Sequence, residues 1–413
     1  MSRYENAKEI YAAYGVDTDE AIKKLCAMSV SMHCWQGDDV AGFEHEDSKL
    51  TGGGIMVTGN HPGRARNIKE LWADLDKAFS VIPGNHRVAL QAFYGDYGGK
   101  FVDRNEIEPC HFQSWIDWTA ERGLKLDFNS TFFSHPKSGN YTLSSADKGI
   151  RDFWIEHAKR VRRITSYVGE AQGSPSSHNL WIHDGEKEVP IDRLGPRMRL
   201  KESLDEIFSE KLPSIKDAME QKLFGIGSEA YVVGSNEFYF GYAAHNNLMV
   251  CFDTGHFHPT ESVSDKISPA LLFTKGVLLH VSRPIRWDSD HVTVMDDHVK
   301  RLMKELVRTN SLDRVDICTD FFDGTINRVG AWVVGMRSIL KALLLAFLEP
   351  VELLRKYENE GRNFERLAMQ EETKSLPYAA VWERFCEINN VPAGSQWVDE
   401  IAAYGDKIAA ERG

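Results

Sequence analysis

The feature that most constrains this chain is a repeated alternation of short strand-like runs with helix-length intervals. Eight such runs occur, at 29–35, 87–94, 124–133, 178–183, 218–225, 248–254, 277–285 and 314–322. Most are apolar or β-branched and are bounded by Gly, Pro, Asn, Asp or Ser, as buried strands are. The intervals 67–81, 106–122, 145–169, 197–210, 261–273 and 296–310 carry apolar residues at helical spacing. Over 67–81, Ile68, Leu71, Leu75, Ala78 and Phe79 share one face, and Asn67 is placed to cap the helix. The interval 226–247 is rich in Gly and aromatic residues and gives no clean period.

Eight strand–helix alternations predict an α/β chain, either a (β/α)8 TIM barrel or a large doubly wound sheet. No GxGxxG follows the first run and no GxxxxGK[ST] occurs, so the phosphate-cradling sheets are weak readings. The expected division is an N-terminal helical segment (1–28), the barrel (29–340) and a C-terminal helical extension (341–413) suited to subunit contacts.

Composition narrows the partners. The net charge of −12 lacks the basic stripe that nucleic acid requires. No uninterrupted apolar run is read as long enough to span a bilayer, and Met1 to Leu25 has no signal-like core. The six cysteines are scattered without a CxxC, which reads as reduced thiols of a cytoplasmic protein.

Acids and histidines gather where the later strands end. The sixth run ends in Asp253-Thr-Gly-His256-Phe-His258; the seventh carries His280 and leads into Asp288-Ser-Asp290; the eighth carries Asp320 and Asp323. The fifth holds Glu220 and Lys222, two residues apart and so on one side of a strand; Asp288 and Asp290 have the same spacing in an extended segment. In a barrel these ends share one bowl, where active sites lie. Buried carboxylates and imidazoles need a counter-charge, and without thiolate they favour Mn²⁺, Mg²⁺ or Co²⁺. Singly, each has a blander explanation: Asp288 and Asp290 as helix caps, His280 as a core histidine, His258 as part of a turn, Glu220 with Lys222 as an internal salt bridge, Trp35 and Trp181 as core. Together, the coincidence at four successive strand ends outweighs these.

Long stretches of the chain resemble L-rhamnose isomerases: SMHCWQGDDVAGFE (31–44), FWIEH (153–157), KLFGIGSEAYVVGSNEFYFGYA (222–243), DTGHFHPTE (253–261), LLHVSRPIRWDSDHV (278–292) and DFFDGTINR (320–328). The resemblance covers nearly the whole chain. It implies a barrel of the xylose-isomerase type with a helical C-terminal extension. It further implies a cytoplasmic homotetramer that converts L-rhamnose to L-rhamnulose with Mn²⁺, one or two per subunit, for which Co²⁺, Mg²⁺ or Zn²⁺ substitutes. By the same resemblance, His256, Asp288 and Asp290 match the ligands of a catalytic metal, and Glu220, Asp253, His280 and Asp320 those of a structural metal. Lys222 matches the lysine at the sugar's carbonyl end, and Trp181 an aromatic wall. Trp35 and Phe132 are expected to pack on the sugar with it. His256 and Asp290, with Lys222, are the expected catalytic residues.

One departure stands out. Where the family reads LHAIY, this chain reads Leu90-Gln91-Ala92-Phe93-Tyr94. Gln91 can hydrogen-bond a sugar but cannot relay a proton near neutral pH. Smaller departures are Thr319, and Ser130 where proline is usual. Gln91 keeps open a related isomerase or epimerase preferring another aldose, such as L-mannose or D-allose. A metal-dependent barrel hydrolase and a non-catalytic sugar-binding homologue are the readings from other classes; the charge opposes a nuclease and the seven candidate ligands oppose a mere binder. A ligand-rich cluster favours a metal-assisted 1,2-hydride shift over an enediol route.

Overall fold

The computed structural model describes residues 2–44, 57–223, 230–285 and 290–413. Ten strands occur among them: β1 Val30–His33, β2 Arg87–Gln91, β3 Lys125–Ser130, β4 Ser176–Leu180, β5 Gly185–Glu186, β6 Ile215–Glu220, β7 Tyr231–Val232, β8 Met249–Asp253, β9 Gly276–Val281 and β10 Val315–Thr319. All but β5 and β7 close into one parallel barrel, with β10 pairing back to β1. β5 and β7 form a short antiparallel ribbon beyond its rim. The architecture is therefore the TIM barrel, and the doubly wound alternative falls.

Each of the eight expected runs lies on one barrel strand. Two were placed too far along the chain, because β4 and β6 begin with polar residues. Ser177 Oγ donates to Asp316 Oδ2 at 2.8 Å, Lys216 Nζ reaches Asp316 Oδ1 at 2.7 Å, and Asp217 receives Arg162. Tertiary partners thus satisfy side chains that, in sequence, look like loop.

The helices start where short polar side chains can accept the first orphan N–H groups. Asn67 Oδ1 accepts from the Glu70 amide at 3.0 Å, and Asp296 Oδ1 from Val299 at 3.1 Å. The interval 106–122 splits into a 3-10 turn, Pro109–Phe112, and the helix Gln113–Glu121. The unresolved period of 226–247 reflects two elements in one interval, β7 and the helix Asn236–Asn246; residues 224–229 lie outside the described part.

Two helices precede the barrel, Arg3–Ala12 and Thr18–Ala27. The helix Arg328–Phe347 is apolar on every side and packs between the helices Asp297–Arg308, Ile68–Phe79 and Thr18–Ala27. By length and composition it could cross a bilayer, although Arg337 and Lys341 interrupt its apolar run. In the fold, 72% of that stretch is buried against protein, as an all-round apolar helix requires. The last helix, Gln396–Arg412, is tied to the barrel wall: Arg412 Nη1 lies 2.6 Å from Asp74 Oδ2, and Tyr404 donates to Asp74 Oδ1 at 2.7 Å.

Candidate metal centre at the mouth of the barrel

The C-terminal ends of the strands bring the predicted acids together. Glu220 ends β6, Asp253 ends β8, His280 lies one residue before the end of β9, and Asp320 follows β10. One ligand atom from each of these four lies within 4.8 Å of the others. Glu220, Asp253 and His280 are buried, and Asp320 nearly so.

This donor set fits a cation. His280 Nδ1 lies 3.1 Å from Asp320 Oδ2 and 3.3 Å from Glu220 Oε2, yet neither approach is aligned as a hydrogen bond. Lone pairs that converge without sharing a proton are what a metal needs. Burial pushes the Glu220 carboxyl up, but His280 and His256 overcome it and hold it well below the usual carboxylate range. Cys251, whose thiol burial pushes up, also reaches Glu220 and His280.

Further hydrogen bonds orient these side chains, as a metal site would require. Trp35 Nε1 donates to Asp320 Oδ1 at 3.0 Å, and the Gly255 amide to Asp253 Oδ1 at 2.6 Å. Asn179 Nδ2 donates to Glu220 Oε2. Strand alternation puts Asn179 on the inward side of β4 with Ser177, a signal that the neighbouring His178 obscured.

His256 lies beside the cluster, with Nδ1 3.1 Å from Glu220 Oε1 and 2.8 Å from the Gln221 carbonyl. A proton on Nδ1 directed at that carbonyl puts the imidazole lone pair on Nε2, the tautomer a ligand needs. Asp290 lines the same cavity, but its φ of +46° is left-handed, so the extended geometry argued for Asp288 and Asp290 does not hold there. Asp288 lies outside the described residues.

Trp35, Gln91, Trp181 and Lys222 all line the cavity over this cluster. Lys222 Nζ sits 4.8 Å from the centre of a Trp181 ring. Phe132 does not reach the cavity: it is fully buried behind the wall, against Trp154 and His157, and Phe133 lines the cavity instead. Asn129 faces the barrel interior and Ser130 the helix layer, so continuing the alternation carries Phe132 outward and Phe133 inward. Phe133 packs edge-on to Trp181, with centroids 5.8 Å apart.

The departures from the family pattern have clear local roles. Thr131 Oγ1 accepts from the Ala92 amide at 2.9 Å and donates to Gln91 Oε1 at 2.8 Å. That fixes the Gln91 amide, so its NH₂ end is the group left for a ligand. Ser130 Oγ lies 2.8 Å from His178 Nε2, whose Nδ1 is 2.9 Å from Asp217 Oδ1. The Ser130 hydroxyl is thus committed to the layer between barrel and helices. Thr319 Oγ1 lies 2.7 Å from His33 Nδ1 beneath Trp35.

Strain also serves the site. Asp39 and Val40 have φ of +58° and +59°, and Val40, β-branched, lines the cavity. Such residues cost ~1–3 kcal/mol each and persist only when neighbours hold them. Arg328 does so by gripping both Asp39 oxygens at 2.7 Å, and Tyr94 donates to Asp38 Oδ1 at 2.6 Å. Burial pushes the Asp38 carboxyl up to about 7, against the pull of the Tyr94 hydroxyl and the Gly42 amide.

A family model described as L-rhamnose isomerase (RhaA) matches residues 1–412. An L-rhamnose isomerase of Bacteroides thetaiotaomicron is 54% identical over 409 residues, 99% of this chain and 98% of that protein. One from Klebsiella pneumoniae is 53% identical over 413 residues, with the same shares covered. Among solved structures, a D-psicose 3-epimerase from Clostridium cellulolyticum H10 superposes with a TM-score of 0.46 at 12% identity, covering 77% of this chain and 96% of that one. The family match and both identities run the length of the molecule, and the chain belongs to the L-rhamnose isomerase family.

Proposed function

We propose that this protein is a metal-dependent aldose–ketose isomerase that interconverts L-rhamnose and L-rhamnulose in L-rhamnose degradation. The observation that carries the reading is the convergence of Glu220, Asp253, His280 and Asp320 beside Lys222 at the barrel mouth. These four residues are the proposed holders of one cation. His256 and Asp290, with Asp288, are the proposed ligands of a second, catalytic one. Mn²⁺ is the proposed metal, since carboxylate and imidazole without thiolate suit it.

A divalent cation bound there supplies a Lewis acid that polarises the sugar carbonyl and fixes the neighbouring hydroxyls. The reaction moves hydrogen from C2 to C1 as hydride, and a proton from O2 to O1. The Lys222 ammonium is proposed to donate to O1 and stabilise the charge that grows there, from a position already fixed against Trp181. Trp35, Phe133 and Trp181 form an apolar wall suited to the sugar's methyl end, and they limit water around the migrating hydrogen. The Gln91 NH₂ offers a hydrogen-bond donor to a sugar oxygen.

A cytoplasmic homotetramer is the proposed state, with residues 341–413 in subunit contacts. The tail helix Asn363–Glu372 buries none of its residues and exposes Phe364 and Leu367, which suits such a role. The two relatives described above are named for L-rhamnose, and nothing in them favours another aldose.

The test is ketose formation by chelator-stripped protein given L-rhamnose, L-mannose or D-allose, each with and without Mn²⁺. L-rhamnose is expected to be converted best, and only with the cation. Faster conversion of another aldose would overturn the substrate, and full activity without metal would overturn the mechanism.

A further inference from the structure

TIM-barrel interiors are ordinarily packed with layers of branched apolar side chains. This one is not. The inward positions along the strands include Ser31, Ala89, Asn129, Ser177, Asn179 and Cys318, which are small or polar. They leave a cavity of about 210 Å³ inside the barrel on its N-terminal side. At ~30 Å³ per molecule, that is room for several waters.

The cavity is wet at one end and reaches the cluster at the other. Its outer rim carries two ion pairs, Arg87–Asp127 and Lys216–Asp316, and the latter's side chains are 34% and 28% exposed. Its inner end is formed by Asn129, Asn179 and His280, which also line the cavity above the cluster. Two buried polar atoms along the way, Ser31 Oγ and Asn179 Oδ1, have no partner among the described residues. Buried polar atoms are nearly always satisfied, and in a polar cavity of this size water is the available partner.

We infer that the barrel interior is a hydrated conduit, carrying water from the N-terminal face to the back of the carboxylate–imidazole cluster. It is separate from the mouth by which a sugar enters. With the mouth filled, water still reaches the cluster through Asn179 and His280. The inference rests on the cluster's geometry rather than on which sugar the protein converts.

Two measurements test it. A high-resolution crystal structure is expected to show ordered waters within hydrogen-bond distance of Ser31 Oγ and Asn179 Oδ1; a dry interior would overturn the conduit whatever the cluster binds. The second is water-proton relaxation of the Mn²⁺-loaded protein with the mouth filled by L-rhamnitol, with Mn²⁺ and polyol occupancy measured separately. The wild type is expected to keep a large part of its paramagnetic enhancement, and Ala89→Leu, which fills the cavity, to lose several-fold. Equal enhancement in both, or its complete loss in the wild type, contradicts the conduit. If Ala89→Leu fails to fold, Ser31→Val narrows the same passage and is read the same way. If Mn²⁺ does not bind, the metal reading fails, and the crystallographic waters alone decide the conduit.

Discussion

The two ends of the barrel handle buried charge in opposite ways. On the N-terminal floor each acid has its own cation: Arg87 grips Asp127 from 2.7 Å, and Lys216 holds Asp316. At the mouth, Glu220, Asp253 and Asp320 crowd around His280, and the ammonium of Lys222 lies over the Trp181 ring. Among the described residues, acids are thus paired one to one with cations at one end and gathered around a shared imidazole at the other. One-to-one pairs hold the fold. Carboxylates gathered with an imidazole in a buried site form a donor set that could hold a cation from outside.

The largest effect should come from removing a ligand at the mouth. Asp253→Asn keeps the shape and removes a charge; turnover is expected to fall by about 10³-fold or more, ~4 kcal/mol of transition-state stabilisation. Steady-state kinetics at saturating Mn²⁺ reads it, with little expected change in thermal stability. Lys222→Met should lower turnover by roughly 10²–10³-fold, as removal of an oxyanion donor does, while cation stoichiometry stays at the wild-type value. Turnover near wild type would remove Lys222 from the mechanism.

The floor should answer in the other currency, stability. Arg87→Met strands Asp127, whose side chain is only 9% exposed, and is expected to cost ~3 kcal/mol in denaturant unfolding with cation affinity unchanged. If cation affinity drops instead, the two ends are not independent.

Acid tests the fold through buried histidines that are not among the four clustered residues. Burial pushes His33 and His86 down to about 4 and His157 down to about 3. The unfolded chain binds these protons from pH ~6.5 downward and the folded one does not, so stability falls as pH drops from 6.5 towards 4, by ~2 kcal/mol per histidine at pH 5. Asp38, pushed up to about 7, acts the other way: folded, it holds a proton that the unfolded chain has released, and this offsets part of the loss. A net loss of a few kcal/mol between pH 7 and 5 is expected in chemical denaturation; constant stability would contradict the buried, neutral assignment. The smallest effect is at Asn179→Ala, where losing the amide behind Glu220 should weaken cation binding by about 10-fold.

Much of this was legible in the sequence, for physical reasons. Burial on both faces makes barrel strands short apolar runs, so all eight could be read, and the candidate ligands stood out because acids at strand ends interrupt those runs. What was hidden depended on partners distant in the chain or on backbone that leaves regular geometry. Lys216 and Asp316 are a hundred residues apart, and without that pair the start of β6 looks like loop. Phe133 rather than Phe132 lines the wall because Asn129 is the inward residue of β3, a facing that its polar neighbours hide in the sequence, and the left-handed backbone at Asp290 broke the alternation assumed there. The Thr131 hydroxyl that fixes Gln91 lies forty residues beyond it, and no local pattern announces it.

The most direct test of the mouth as a cation site is calorimetric titration of chelator-stripped protein with Mn²⁺, wild type beside Asp253→Asn. The account predicts saturable binding by the wild type and a large loss of affinity in the variant. Absent binding, or equal affinity in the two proteins, would contradict it.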